Sequence, residues 1–319
     1  MSILKLHLSM IGTLAFIIGV STLFFAIILS LANALSLYSL IFFVIIFNLI
    51  QWLIAPYLID AMYNVKEIKE VDNPKIYSMV RRICQRTNFS MPKIMIAHIP
   101  IPNAFAYGSP IAGRRVAVTT ELLKTLEDEE VEAVLGHEIG HLKHRDVQVM
   151  MFVSVLPAII YYIGYSLMLS AMYGRRERES GGAALVGIAA MALYWILSLF
   201  VLGLSRLREY YADQHAVRNV DDGARKLSEA LAKITMYSGR YKLTHGNTGG
   251  FSSFKTLFIS DPDKADQDEV LLAKSRFVRS DSELVKEILS RKVTLADRIM
   301  ELFSTHPNII KRIKALQRV

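Results

Sequence analysis

Four long apolar stretches govern what this chain can fold into. They run from about Leu8 to Leu31, Leu37 to Ile59, Val147 to Met172 and Ala183 to Leu204, and none carries an acidic or basic residue over its central part. A helix needs ~20 apolar residues to cross the hydrocarbon core of a bilayer, and each stretch meets that length. Pro157 interrupts the third. With 52% hydrophobic residues and a mean hydropathy of +0.32, the 319-residue chain reads as an α-helical integral membrane protein whose water-soluble parts lie between and after two apolar hairpins.

Lys5, the first apolar run and Ala32-Asn33-Ala34 also resemble a secretory signal with a small-residue cleavage site. The run exceeds the ~7–15 residues of a signal core and a second apolar run follows at once, so an uncleaved hairpin is expected. Orientation follows from the basic residues. The connection around Ala32 to Ser39 is uncharged, whereas Lys66, Lys69, Lys75, Arg81, Arg82 and Arg86 follow the second run. The positive-inside rule puts that region in the cytoplasm. The second hairpin has Arg175, Arg176 and Arg178 at its tip and Lys143, Arg145, Arg206 and Arg208 at its bases, which leaves open whether both arms span fully. The expected division is an N-terminal hairpin (1–60), a first soluble part (61–146), a second hairpin (147–204) and a second soluble part (205–319).

The net charge is +8. In so apolar a chain that points to anionic lipid, and no nucleic-acid-binding signature accompanies it. The single cysteine, Cys84, cannot form an internal disulfide. "KIMIAHI" (93–99) and "RRVAVTT" (114–120) alternate and favour β-branched residues, predicting strands. "PNAFAYGSP" between them suits a short edge strand or an extended loop. Helices are predicted from about Glu121 and again from about Asp128, and long polar loops over 238–253 and 260–269.

The chemistry concentrates in "VEAVLGHEIGHLKHRDVQVM", a helical stretch predicted to continue past Asp146 into the third apolar run. His137-Glu138-Ile139-Gly140-His141 is an H-E-x-x-H motif. Positions i and i+4 share a helix face, so His137 and His141 can reach one ion, with Glu138 beside a water bound to it. Zinc accepts imidazole nitrogen and leaves a position for water. With 8 histidines in the chain, the pattern arises by chance in fewer than ~0.02 such chains. A third ligand is expected from "SRLREYYADQHA", where Glu209 would complete a His₂Glu site and Asp213 could accept a hydrogen bond from a ligand imidazole. The plain alternative is a solvated helix face on which Arg206 and Arg208 are the acids' partners.

The order of "PNAFAYG", "HEIGHLKHRD", "SRLREYYAD" and "STHPNIIKRI" around two apolar hairpins resembles the HtpX-type membrane zinc metalloproteases, in the same broad class as the CAAX prenyl proteases. The resemblance covers most of the chain and departs mainly over 238–269. It implies a zincin-like α+β catalytic domain, mostly helix with a small sheet, and one Zn2+ held by His137, His141 and Glu209. Glu138 is implied as general base, and His306 as a transition-state stabiliser or occasional extra ligand. The stretch Asn103, Ala104, Phe105, Ala106 is implied as a substrate-binding edge strand. His306 also has a structural reading, as a helix-start residue before Pro307. The implied function is cleavage of misfolded or damaged membrane proteins at the cytoplasmic face of the cell membrane, with unfolded polypeptide and the bilayer as partners and no nucleic acid. A CAAX-type processing peptidase and a non-proteolytic zinc-binding scaffold or sensor are the alternatives.

Overall fold

The computed structural model describes residues 36–173, 180–245 and 280–318. The first apolar run and the expected loop at 260–269 lie outside the described residues. The chain is mostly helical with one small mixed sheet. It divides into two compact units, one formed by Met1–Trp52 with Gln148–Leu204 and the other by Leu53–Val147 with Ser205–Val319.

Three helices supply the described part of the first unit: the N-terminal portion of α1 (Leu37–Met62), most of α5 (Asp146–Tyr173) and the first portion of α6 (Ser180–Asn219). Pro157 does not interrupt α5. α5 and α6 meet where side chains are smallest: a Cβ on Gly187 would fall 3.0 Å from the Gly164 carbonyl oxygen, and one on Gly164 3.0 Å from the Ala190 Cβ. Backbones approach this closely only where small residues line the contact. Tyr161 and Tyr194 pack beside it, their rings tilted by 60° with centroids 5.2 Å apart. Among the described residues two helices are long and apolar enough to cross a bilayer, through the windows Ile45–Met62 and Ala184–Asn219, while the apolar part of α5 is the shorter Pro157–Leu169.

The second unit carries the sheet, in strand order β1-β2-β4-β3. β1 (Val65–Glu67) pairs antiparallel with β2 (Lys93–Ala97), β2 pairs parallel with β4 (Gly113–Thr119), and β3 (Ala104–Ser109) pairs antiparallel with β4. β3 is therefore an edge strand. β4 is buried from Arg115 onwards, as a strand paired on both sides should be. α2 (Pro74–Thr87) and α4 (Asp128–Lys143) form one continuous core with the sheet through Val80, Ile83, Ile94, Val116, Val118, Val134, Leu135 and Ile139. α3 (Thr120–Thr125) joins β4 to α4, whose N-terminus is closed by a reciprocal Glu127–Glu130 capping box. α7 (Gly223–His245), α8 (Asp281–Ser290), α9 (Leu295–Leu302) and α10 (Ile309–Leu316) complete the unit.

Two sequence expectations change. Residues 238–245 are helix, the end of α7, not loop. The helix of the H-E-x-x-H motif also stops at Lys143 instead of running on. Arg145 takes a left-handed conformation (φ 56°) and α5 begins afresh at Asp146. A left-handed non-glycine residue costs about 1–2 kcal/mol. Here it turns Asp146 back towards α4, where His141 and Arg208 take up its carboxylate.

The approach of α4 to α6 is set by glycine. A Cβ on Gly136 would lie 2.8 Å from the Val220 Cγ2 and 3.3 Å from the Ala216 Cα, and one on Gly140 would lie 3.2 Å from the Ala212 Cα. Overpacking of this kind costs about 1–3 kcal/mol, so Gly140→Ala should lower the thermal midpoint of the detergent-solubilised protein. Gly182→Ala, which enters open space, should not lower it. Equal midpoints for the two variants would show that the contact carries no strain.

Candidate metal centre

His137 and His141 project from consecutive turns of α4, each immediately after one of the glycines that let α6 come close. Glu209 faces them from α6. One ligand atom from each of the three lies within 4.8 Å of the others. The two imidazole Nε2 atoms are 3.1 Å apart, and Glu209 Oε1 is 3.5 Å from His141 Nε2.

The far sides of the rings decide what those nitrogens can do. His137 Nδ1 lies 2.9 Å from Asp213 Oδ1, and His141 Nδ1 lies 2.6 Å from Asp146 Oδ2. A carboxylate only accepts, so both Nδ1 atoms carry the hydrogen and both Nε2 lone pairs point at one spot. Glu209 Oε2 is buried there without a hydrogen bond, although the Arg312 Nη1 is 3.1 Å away. Two convergent nitrogen lone pairs and an under-satisfied carboxylate oxygen are the donor set of a tetrahedral zinc with one open position.

Each orienting carboxylate is itself held by an arginine. Arg312 donates through Nε to Asp213 Oδ2 (2.7 Å) and through Nη2 to Asp213 Oδ1 (2.8 Å). Arg208 donates to Asp146 and to the His144 carbonyl oxygen. Asp146 and Arg312 were given no role by the sequence, and Arg208 appeared at the site only as a solvated partner of Glu209 and Asp213. Asp146 was hidden by the assumption of an unbroken helix, since a carboxylate five residues after His141 would then face elsewhere. Arg312 lies far away in sequence and carried no spacing signal. Arg208 is not a partner of Glu209, and Arg206 binds the carbonyl oxygens of Glu301, Leu302 and Ser304.

The remaining predicted residues divide. His306 is buried with Nδ1 3.3 Å from Glu209 Oε1, and its backbone is fixed by Ser304, whose hydroxyl accepts from His306 N–H and donates to His306 C=O. It does not start a helix: the cap of α10 is Asn308. Asn103 is buried beside the start of β3, its N–H donating to Thr119 Oγ1 and its carbonyl accepting from Thr119 N–H. Ala104, Phe105 and Ala106 lie on the edge strand, with the Phe105 ring packed against Tyr63 and Tyr107. The Ala106 backbone N–H bonds to the Glu138 carboxylate, so the outer edge of β3 faces α4. His144 packs its ring against Tyr211 and His215.

Burial and electrostatics separate the two histidines. Burial and the adjacent Arg312 charge lower the His137 pKa to about 4. Burial also presses on His141, but the hydrogen bond and charge of Glu209, then Glu138, outweigh it and raise its pKa above 6.5. Burial, with the Glu209 charge, pushes Glu138 up to about 7 against the pull of His141 and Arg312. Burial opposes ionisation of Glu209 too, yet His306 and Arg312 hold it well below the ordinary carboxylate range.

A model of peptidase family M48 matches residues 70–319. The chain belongs to this family. It is 40% identical to a "Protease HtpX homolog" of Thermoplasma acidophilum, over 86% of this chain and 83% of that protein. To the "Protease HtpX homolog" of Archaeoglobus fulgidus it is 36% identical, over 99% and 87%. Among solved structures, Ste24p of S. mikatae shares the fold with a TM-score of 0.57 at 16% identity, covering 95% of this chain and 64% of that one. The membership makes this M48 chain a metalloprotease, and the His137–His141–Glu209 cluster is compatible with the metal that the family requires.

The pKa directions fix how metal binding responds to pH. Between about pH 4, where His137 loses its proton, and the raised pKa of His141, one ligand proton must leave as a metal enters. Zinc affinity should therefore weaken about tenfold per unit as pH falls through that window. Calorimetry in buffers of different ionisation enthalpy should count one proton released; two would show that His137 is also protonated. Arg312→Leu and Asp146→Asn should each weaken zinc affinity about 10–100-fold, as loss of a partner behind a ligand does. Competition with a chromogenic chelator measures both.

Proposed function

We propose that the chain is a membrane-bound zinc endopeptidase, with zinc held by His137, His141 and Glu209, that cleaves misfolded or damaged membrane proteins at the cytoplasmic face. The observation that carries the reading is the pair of imidazoles, each tied through Nδ1 to a carboxylate and aimed through Nε2 at the same point as Glu209. A site built only to hold metal has no need of Glu138, a buried carboxylate whose raised pKa of about 7 suits proton transfer near neutrality.

Zinc, when bound, supplies a Lewis acid that polarises the scissile carbonyl and acidifies a water. The chain's own residues do the rest. Glu138 takes a proton from the attacking water and delivers it to the leaving amine. Asp213 and Asp146 keep the two imidazoles in the tautomer that presents Nε2, and Arg312 and Arg208 keep those carboxylates in place. His306 acts on the developing oxyanion as a hydrogen-bond donor. The outer edge of the sheet, along Asn103 to Ala106, holds the substrate as an added strand, reading its backbone more than its side chains, which suits unfolded polypeptides of varied sequence. The apolar helices α1 and α6 anchor the chain as a multi-pass protein of the cell membrane, with the zincin-like domain on the side of Lys66 to Arg86. The four-part division of the chain, 1–60, 61–146, 147–204 and 205–319, goes with this reading.

A processing peptidase of narrow sequence preference is the second reading, favoured by the likeness of fold to Ste24p. One experiment separates the readings: purified protein in detergent, its metal content measured, is offered an unfolded protein and a prenylated C-terminal peptide. Glu138→Gln is expected to keep zinc and lose about 10²–10⁴-fold in cleavage of the unfolded protein. Cleavage of the prenylated peptide alone favours the second reading. Bound zinc with no cleavage of either substrate turns the site into a binding centre.

A further inference from the structure

The turn between β3 and β4 plays no part in the chemistry above, yet its construction is unusual. From Ile99 to Gly113 the chain carries no charged side chain, and at the turn Ile111 is 67% exposed. An exposed isoleucine alone is ordinary. This one belongs to a turn that is fastened to an apolar helix. The Ser109 hydroxyl donates to the Leu53 carbonyl oxygen of α1 at 3.1 Å, and Leu53 falls within the apolar window Ile45–Met62. The first charged residue of α1 is Asp60, and at ~1.5 Å per residue the fastening lies ~10 Å deeper along the helix. Ile54 and Leu58, neighbours of Leu53 on α1, are also exposed.

Part of the turn's polar backbone is satisfied locally. Ala112 N–H donates to Ser109 Oγ (3.1 Å) and the Ala112 carbonyl oxygen accepts from Arg115 Nε (3.3 Å), while Pro110 has no N–H to satisfy. Each backbone group satisfied in this way lowers the cost of bringing a non-helical turn to hydrocarbon. The Arg115 charge is paired with Asp60 and lies over the Tyr57 ring, 5.2 Å from its centroid. Tyr107 also donates to Asp60 (2.6 Å). The charged end of the hairpin is thereby fixed to α1 where the helix itself first carries charge.

We propose that the turn Ser109–Gly113 inserts into the bilayer and seats the edge strand β3 at the membrane surface, so that substrates are chains leaving the bilayer, cut at a set distance from it. This rests on the reading of α1 as a membrane span and of β3 as the substrate strand. Ala106 faces Glu138, and from Ala106 to Ser109 an extended strand covers ~10 Å. A polypeptide paired with β3 meets Glu138 that far from the inserted turn. A membrane-anchored substrate is therefore cleaved within a few residues of its boundary, whatever its sequence there.

The test uses the full chain in phosphatidylcholine–phosphatidylglycerol vesicles, with an environment-sensitive fluorophore attached through Ile111→Cys, Phe200→Cys or Val71→Cys in turn. Cys84 is buried and its thiol is pushed up to about 11, so it competes poorly for the label, which unsubstituted protein checks. Phe200, 72% exposed in the apolar part of α6, reports lipid, and Val71, 84% exposed ahead of α2, reports water. The probe at position 111 is expected to follow the one at 200, quenched by lipid-borne nitroxide and several-fold less by aqueous iodide than the probe at 71. If 111 follows 71 while 200 is shielded, this inference is overturned and the membrane reading stands. If 200 also follows 71, the membrane reading falls and takes the inference with it. In the same vesicles, a polar spacer inserted between the span and the cleaved segment of an anchored substrate should move the cut to a new sequence at the old distance. A cut that stays with its sequence overturns the set distance.

Discussion

The close contact of α4 with α6 is the constraint on which the site depends. Gly136 and Gly140 precede the two histidines, and Ala212 and Ala216 face them from the other helix. With a side chain at either glycine the helices must separate by a few tenths of an ångström or more. Glu209, one turn before Ala212, would then withdraw from the two imidazoles. His215 strengthens the same contact, its Nδ1 2.9 Å from the Gly136 carbonyl oxygen. Spacing along one helix makes a two-histidine face; a three-ligand centre needs a second backbone at this range.

Around that contact the site is built in layers of alternating charge. Each imidazole has a carboxylate behind it and each carboxylate an arginine, so no buried charge in the chain from Arg312 through Asp213 to His137 stands alone. A buried ion is costly unless its partners are well placed, and the bidentate contact of Arg312 with Asp213 meets that demand. The same arrangement sets proton affinities. Arg312 helps to keep His137 neutral and Glu209 ionised, leaving His141 as the imidazole of the cluster whose proton affinity is raised.

The sheet makes a second decision. Because β4 lies between β2 and β3, the strand closest to Glu138 has one edge with no neighbouring strand among the described residues. An exposed edge is usually a hazard that proteins blunt. Here it faces the candidate centre, and its far end is fastened to α1 through Ser109 and the Asp60–Arg115–Tyr107 cluster. β3, Glu138 and the apolar helix α1 are thus linked by one short series of contacts.

The long apolar helices, the two-histidine helix and the i, i+4 placement of Glu209 and Asp213 were legible in the sequence because each rests on local periodicity: ~20 apolar residues for a span, four residues for one turn of helix. The strands at 93–97 and 113–119 were legible for the same reason, through alternation. Family resemblance added His306, which no local pattern singles out, and chose the edge strand over the extended loop that "PNAFAYGSP" also suits. Tertiary structure alone decided the rest. It broke the helix at Arg145 and so turned Asp146 onto His141, and carried Arg312 from the last helix to Asp213. These outcomes depend on which distant backbones approach each other, and that is a balance of packing and buried charge summed over the whole unit. No window of sequence contains it.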